Sequence, residues 1–277
     1  MQAALRLRRI FLAPASAIML ATLAAPLIIV IAYSLLSRGP YGGVELPWTL
    51  ENYTRLWDRL YLAIFWRTIW ISVVTTAICL LMGFPLAMFI AQSRRKNLWL
   101  SLVILPFWTS FLIRTYAWMF LLRDTGLINT LLMSLGLIRE PLPMLYNDGA
   151  VILGLVYGYL PFMVLPLYAT LERLDQNLLA ASADLGANPW ETLRRVTIPL
   201  AAPGIRAGAL LVFIPSLGTY LTSDLLGGSK TVLIGNLIQT QFTAARDWPF
   251  GAAMALALVA FAIALLAMFR QPTEGLL

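Results

Sequence analysis

Residues 149–200 read GAVILGLVYGYLPFMVLPLYATLERLDQNLLAASADLGANPWETLRRVTIPL. The first part, 149–171, carries no charge, and a helix needs about 20 apolar residues to cross the hydrocarbon core. In lipid such a segment must be helical, because an open strand would leave its backbone groups unpaired. The polar part that follows, 172–206, is far longer than a tight connection between two spans requires. Its punctuation predicts two short helices joined at Gly186. Asp175 can cap the first, which runs through Ala180, Ala181, Ser182 and Ala183, and Gly186 supplies the left-handed turn after it. Asn188 then caps the second, with Pro189 at its first position and Glu191 three residues after the cap. Pro199 and then Pro203-Gly204 are expected to end that helix and start the next span.

Working outward, the same reading between flanking charges gives spans at 10–37, 68–93, 97–122 (passing over Arg114), 207–223 and 248–269. With 149–171 this makes six transmembrane helices in an all-α membrane protein, the fifth only just long enough. Composition agrees: 60% of residues are hydrophobic and 12% charged, whereas a soluble domain carries roughly 25% charged residues. The mean hydropathy is +0.79. The first apolar run follows Arg6, Arg8 and Arg9 but is about twice the length of a signal-peptide core, so an uncleaved first helix is expected. Nothing marks a separate soluble domain, and 1–277 is read as one transmembrane domain.

Basic residues set the orientation. With the N-terminus inside, the inner segments collect Arg6, Arg8, Arg9, Arg94, Arg95, Lys96, Arg173, Arg194, Arg195, Arg206 and Arg270, well in excess of their acids Glu172, Asp175, Asp184, Glu191 and Glu274. The outer segments balance. Both termini are therefore expected in the cytoplasm. The net charge of +7 comes from these membrane-flanking residues, so no nucleic-acid partner is expected. The outer segment 39–66, with Trp48, Tyr53, Trp57, Tyr61 and Trp66, suits an amphipathic stretch at the interface. Gly83-Phe84-Pro85 is expected to kink the second span.

Several chemistries are excluded. One cysteine, Cys79 in an apolar run, allows neither an internal disulfide nor a thiolate metal cluster. The absence of histidine removes His-based triads and His-ligated zinc, and no metal site is expected. No phosphate-cradling Gly-x-x-x-x-Gly-Lys-[Ser/Thr] loop is present, so any nucleotide must be hydrolysed on another chain.

Ala180-Ala181-Ser182-Ala183-Asp184-Leu185-Gly186, followed by Ile198-Pro199-Leu200 and Pro203-Gly204-Ile205, resembles the "EAA loop" of ABC importer permeases. The resemblance extends over 52–270. Within 106–118, 122–129, 224–228, 234–236 and 247–251 it is similar to the spermidine/putrescine branch of that family. It implies a type I ABC importer permease fold in the bacterial inner membrane, with cytoplasmic coupling helices. It also implies coupling to an ATPase subunit through Ala180, Ala181, Asp184, Leu185, Gly186, Ala187, Pro199 and Gly204. The family's usual glutamate is Ala180 here and its second alanine is Ser182, so any salt bridge made by that glutamate is lacking. The implied partners are a second permease (a heterodimer), two copies of a cytoplasmic ATPase that hydrolyses ATP with its magnesium, a periplasmic solute-binding protein, and lipid. The chain itself would be no enzyme and bind no cofactor. It would move a small solute, a polyamine such as spermidine or putrescine, by alternating access.

Candidate path residues are Trp108, Arg114, Tyr116, Trp118 and Asp224. Ionisable groups within a membrane are functional candidates by default, and only Arg114 sits well inside a span. It faces a cavity, braces a neighbouring helix, or snorkels to an interface. Asp224, at the outer mouth, either meets ammonium groups of the cargo or caps the Gly227-Gly228 turn. Alternatives are the same machinery with another charged cargo (amino-acid-like, phosphonate or metal ion), an ion-coupled secondary transporter, and an intramembrane enzyme. The second of these lacks the buried acids and inverted repeats it needs, and the third lacks histidine and a buried acid pair.

Overall fold

The computed structural model describes Gln2–Phe269. Arg270 and Glu274, counted above on the inner face, lie outside the described residues. The elements run α1 Gln2–Ser34, β1 Leu36–Arg38, β2 Val44–Trp48, α2 Glu51–Arg55, α3 Arg59–Gln92, α4 Lys96–Ile104, α5 Phe111–Leu122, α6 Leu127–Ser134, α7 Asp148–Leu171, α8 Gln176–Asp184, α9 Pro189–Thr192, α10 Ile198–Gly218, α11 Ile234–Phe242 and α12 Trp248–Phe269. Four stretches are long and apolar enough to span alone: Arg59–Gln92, Asp148–Leu171, Pro189–Gly218 and Trp248–Phe269. A broken pair makes a fifth, and Ile18–Ser34 of α1 is a shorter apolar helix where the first span was expected. Helices α7 and α12 cover nearly the same residues as the uncharged stretches 149–171 and 248–269, and the other helices have different ends.

The second span begins at Arg59 rather than 68, because the helix continues beyond the uncharged stretch. It carries Pro85 without interruption, and Gly83 serves there as a close-packing site rather than a break. The third is not one helix. Pro106 sits in a short 3-10 turn, Leu105–Trp108, and Thr109 and Ser110 are extended, so Lys96–Trp108 and Phe111–Ser134 meet at 88°. The fifth begins earlier, since Pro199 and Pro203 end nothing. A π-helical turn, Leu193–Thr197, precedes Pro199 and runs α9 directly into α10. The wider turn relieves the clash between a proline ring and the carbonyl four residues before it. Arg206, assigned above to the inner loop, therefore lies within a continuous helix, and α10 stops at Gly218, short of residue 223.

The described residues form two compact units, 2–62 with Leu237–Ala264, and Ala63–Asn236 with 265–269. In the first, the expected amphipathic stretch is instead a β-hairpin followed by α2. Gly42 and Gly43, at φ +92° and +80°, make its turn. Buried Asn52 ties it to α1 by donating to the carbonyls of Ser34 (3.0 Å) and Leu36 (2.9 Å). Buried Asp247 accepts from Arg55 at 3.0 Å and from the Phe250 amide at 3.2 Å, which caps α12.

In the second unit, α7 is the central helix, flanked by α3 and α10. Lipid tails are as apolar as leucine, so association here depends on close packing rather than on expelling water. The contacts are correspondingly made at small residues. A side chain on Gly83 or Gly208 would meet Met163 of α7 at 3.0 Å or 2.7 Å, and one on Gly204 would meet Thr170 and the Pro166 carbonyl. Cys79 is buried and directs its thiol at the Val156 carbonyl. Met163, Val164, Leu167, Ala201 and Val212 complete this core.

Candidate coupling surface and solute path

The hairpin α8–α9 is built as its residues dictate. The Asp175 carboxylate accepts from the Asn177 amide at 2.9 Å. At the other end of α8, Gly186 lies at φ +82°, its amide bonds the Ala183 carbonyl (2.9 Å), and the Ala187 amide bonds the Ser182 carbonyl (3.1 Å). That is the Schellman closure. Asn188 and Glu191 exchange both bonds of a capping box, at 2.9 and 3.1 Å, with Pro189 at the first position of α9. One feature was not legible beforehand: the buried Ser182 hydroxyl shares a 2.7 Å hydrogen bond with Thr192, which clips the two helices together. The serine that departs from the family pattern thus has a structural role.

Outward, the hairpin presents Leu185, 88% exposed, and Trp190, 66% exposed, beside exposed Ala180, Ala181 and Asp184. Leu185 and Trp190 are both large apolar groups left exposed on an otherwise polar loop. Sequence reasoning did not single out Trp190, although its place directly after Pro189 puts it on the first turn of α9. Pro199 is exposed at the start of α10, whereas Gly204 is buried against α7. Behind the hairpin lies a cavity of about 620 Å³ lined by α3, α7, α8 and α9 residues including Met88, Leu171 and Ala183. Lys96 and Glu172 pair across its rim at 3.0 Å. The Tyr168 hydroxyl, and then Lys96, hold the Glu172 carboxyl below its ordinary range.

The expected path residues are only partly brought together. Arg114 and Trp118 of α5 line a narrow slot with Phe111, Thr115, Gly154, Tyr157 and Gly158. Trp118 stacks edge-on against Tyr157 at 5.6 Å. The Arg114 guanidinium carbon sits 4.7 Å from the Phe107 ring centre and 5.8 Å from that of Phe111. Trp108, at the break and 84% exposed, and exposed Tyr116 do not line the slot, nor does Asp224. Asp224 stands exposed on a π turn, Ser223–Gly227, where its carboxylate accepts from the Asn236 amide at 3.2 Å. Asn236 is the unforeseen organiser. It also donates to the Tyr220 carbonyl (3.0 Å) and accepts from the Ser223 hydroxyl (2.5 Å) and the Leu233 amide (3.1 Å). Nearby, the Asp148 carboxylate collects Arg67 and Thr231, each at 2.6 Å, joining α3, α7 and the stretch just before α11.

The profile of the family described as "binding-protein-dependent transport system inner membrane component" matches residues 3–271. The chain belongs to that family. It is a multi-pass inner-membrane permease component. The permease is 46% identical over 235 residues to the spermidine/putrescine transport system permease protein PotB of Escherichia coli, covering 84% of this chain and 86% of that one. To the protein of the same name in Haemophilus influenzae it is 42% identical over 251 residues, covering 90% and 88%. Among solved structures, a bacterial ABC transporter involved in importing the acidic polysaccharide alginate superposes with a TM-score of 0.67 at 19% identity, over 96% of each chain. That likeness establishes the ABC importer permease fold and says nothing of cargo.

Proposed function

We propose that this permease forms the membrane path of an ATP-driven polyamine importer, with spermidine or putrescine as cargo. The observation that carries the cargo is the 46% identity to a spermidine/putrescine permease across most of both chains. The site is compatible: an exposed carboxylate at Asp224 beside the exposed Tyr220 ring offers an ion pair and an aromatic face to an ammonium group. The chain supplies no chemistry of its own. Two copies of a separate ATPase subunit grip the α8–α9 hairpins, and their closure switches the permease between inward-open and outward-open states. The path is completed by a second, different permease, and a periplasmic binding protein delivers the solute. Residues 1–277 act as one transmembrane domain with both termini in the cytoplasm.

The test is uptake by proteoliposomes holding the two permeases and the ATPase, with the cognate binding protein outside. Radiolabelled spermidine accumulates, and unlabelled putrescine competes. Uptake of an anion such as a phosphonate, with none of spermidine, would contradict the cargo.

A further inference from the structure

Arg114 is a charge without an acceptor. Its Nε and Nη1 atoms are buried and have no hydrogen-bond partner among the described residues. Phe107 and Phe111 face the guanidinium, and rings compensate a charge only in part. The slot it enters is narrow; Gly154 and Gly158 on its α7 side bring no side chain, and the Thr115 and Tyr157 hydroxyls that also line it make no hydrogen bond to Nε or Nη1. Snorkelling would place the head group in water, and two of its three nitrogens are buried.

Three acids of the same unit are engaged elsewhere, Asp148 with Arg67, Glu172 with Lys96 and Asp224 with Asn236, and no acid of the described residues bonds Arg114. Arg114 is nonetheless only half-buried, so one side of it remains open. The same helix α5 leaves Ile113, Tyr116 and Phe120 exposed, an apolar face that something in the membrane must cover. Acyl chains provide no acceptor, and leaving a charged group unmet in hydrocarbon is what membrane proteins avoid. The proposed cargo adds a second constraint. A polycation passing an unneutralised guanidinium would be repelled, so the charge must be cancelled by something other than cargo.

We infer that Arg114 is neutralised by a carboxylate from a membrane helix of the second permease, so that the cation-conducting path is complete only in the pair. This rests on the two-permease reading given above, and it assigns Arg114 to the subunit interface as a positioning and charge-balancing residue.

The experiment uses the assembled transporter with Arg114→Lys, which puts an amine at this position, treated with the membrane-permeant reagent dicyclohexylcarbodiimide. That reagent activates a carboxyl, an adjacent amine displaces it to form the amide, and the carboxyl oxygen leaves as dicyclohexylurea. The expected result is a covalent link between the two permeases, mapped by mass spectrometry to position 114 and one acid of the partner. A link to an acid of this chain, such as Asp124, a link between two copies of it, or no link in an intact complex overturns the inference. Should Arg114→Lys fail to assemble, Arg114→Gln provides a second readout. Released from its pair, one partner carboxylate becomes at least fivefold more reactive, read as its acylurea adduct, and no increase overturns the inference. Neither readout involves a substrate, so failure of the cargo assignment appears separately, as absent spermidine uptake by the unaltered transporter.

Discussion

Gly186→Val abolishes the stimulation of ATP hydrolysis by loaded binding protein and lowers spermidine uptake at least tenfold, while the permease still inserts and assembles. The reason is backbone conformation alone. Gly186 lies at φ +82°, and a Cβ there would meet nothing within 4 Å, so no steric clash enters the result. An ordinary residue loses about 1–2 kcal/mol in the left-handed region, and a β-branched one is a stronger outlier there. Loss of that geometry opens the Schellman closure at Ala183 and Ser182 and misaims α9 with Trp190. About 1.4 kcal/mol is a factor of ten in the population of the correct hairpin. Gly186→Asn is the control: asparagine tolerates this region and should keep most of the coupling. ATPase assays on the reconstituted complex, with membrane content checked by immunoblot, decide it. Unchanged stimulation in Gly186→Val would show that the coupling element lies elsewhere.

Gly204→Leu fails differently, by removing the folded permease. A Cβ at Gly204 would lie 2.6 Å from the Thr170 hydroxyl and 2.8 Å from the Pro166 carbonyl oxygen, and a backbone carbonyl cannot turn away as a side chain can. The helices α7 and α10 must then separate, which also loosens the packing of Gly208 on Met163. Overpacking of this kind costs about 1–3 kcal/mol, and the longer leucine worsens it. Fluorescence-detected size exclusion should show the monodisperse peak reduced severalfold and the thermal midpoint lowered by several degrees. Gly218→Ala, where a Cβ meets nothing within 4 Å, should match the unaltered chain. An unchanged peak for Gly204→Leu would mean that the α7–α10 contact is dispensable.

The two variants separate coupling from folding, and they show which features a sequence exposes. Helices α7 and α12 were legible because the charges Asp148 and Asp247 stand at their starts. The hairpin turn and caps were legible because Asp175, Gly186, Asn188, Pro189 and Glu191 act on their immediate neighbours. Features set by distant contacts were not. The break at Thr109-Ser110 follows Pro106, yet Pro85, Pro161 and Pro166 sit inside unbroken helices, so proline alone does not decide the matter. The π turn before Pro199 has no signature beyond the proline itself, and Pro161 and Pro166 stand in α7 without one. The clip between Ser182 and Thr192, the bonds converging on Asn236 and the pair of Arg55 with Asp247 all join residues whose proximity only the fold creates. Of the path candidates, charge and aromaticity picked out Arg114 and Trp118, which share a slot, but gave no way to know that Trp108 and Tyr116 lie outside it.

The central claim is that transport through this chain is driven by an ATPase gripping its hairpin. The most direct measurement is spermidine accumulation in proteoliposomes containing both permeases, made with and without the ATPase subunit, each with and without internal ATP and magnesium. The account predicts concentrative uptake only when ATPase and nucleotide are both present, and its loss in Gly186→Val. Concentrative uptake by the permeases without the ATPase would contradict it.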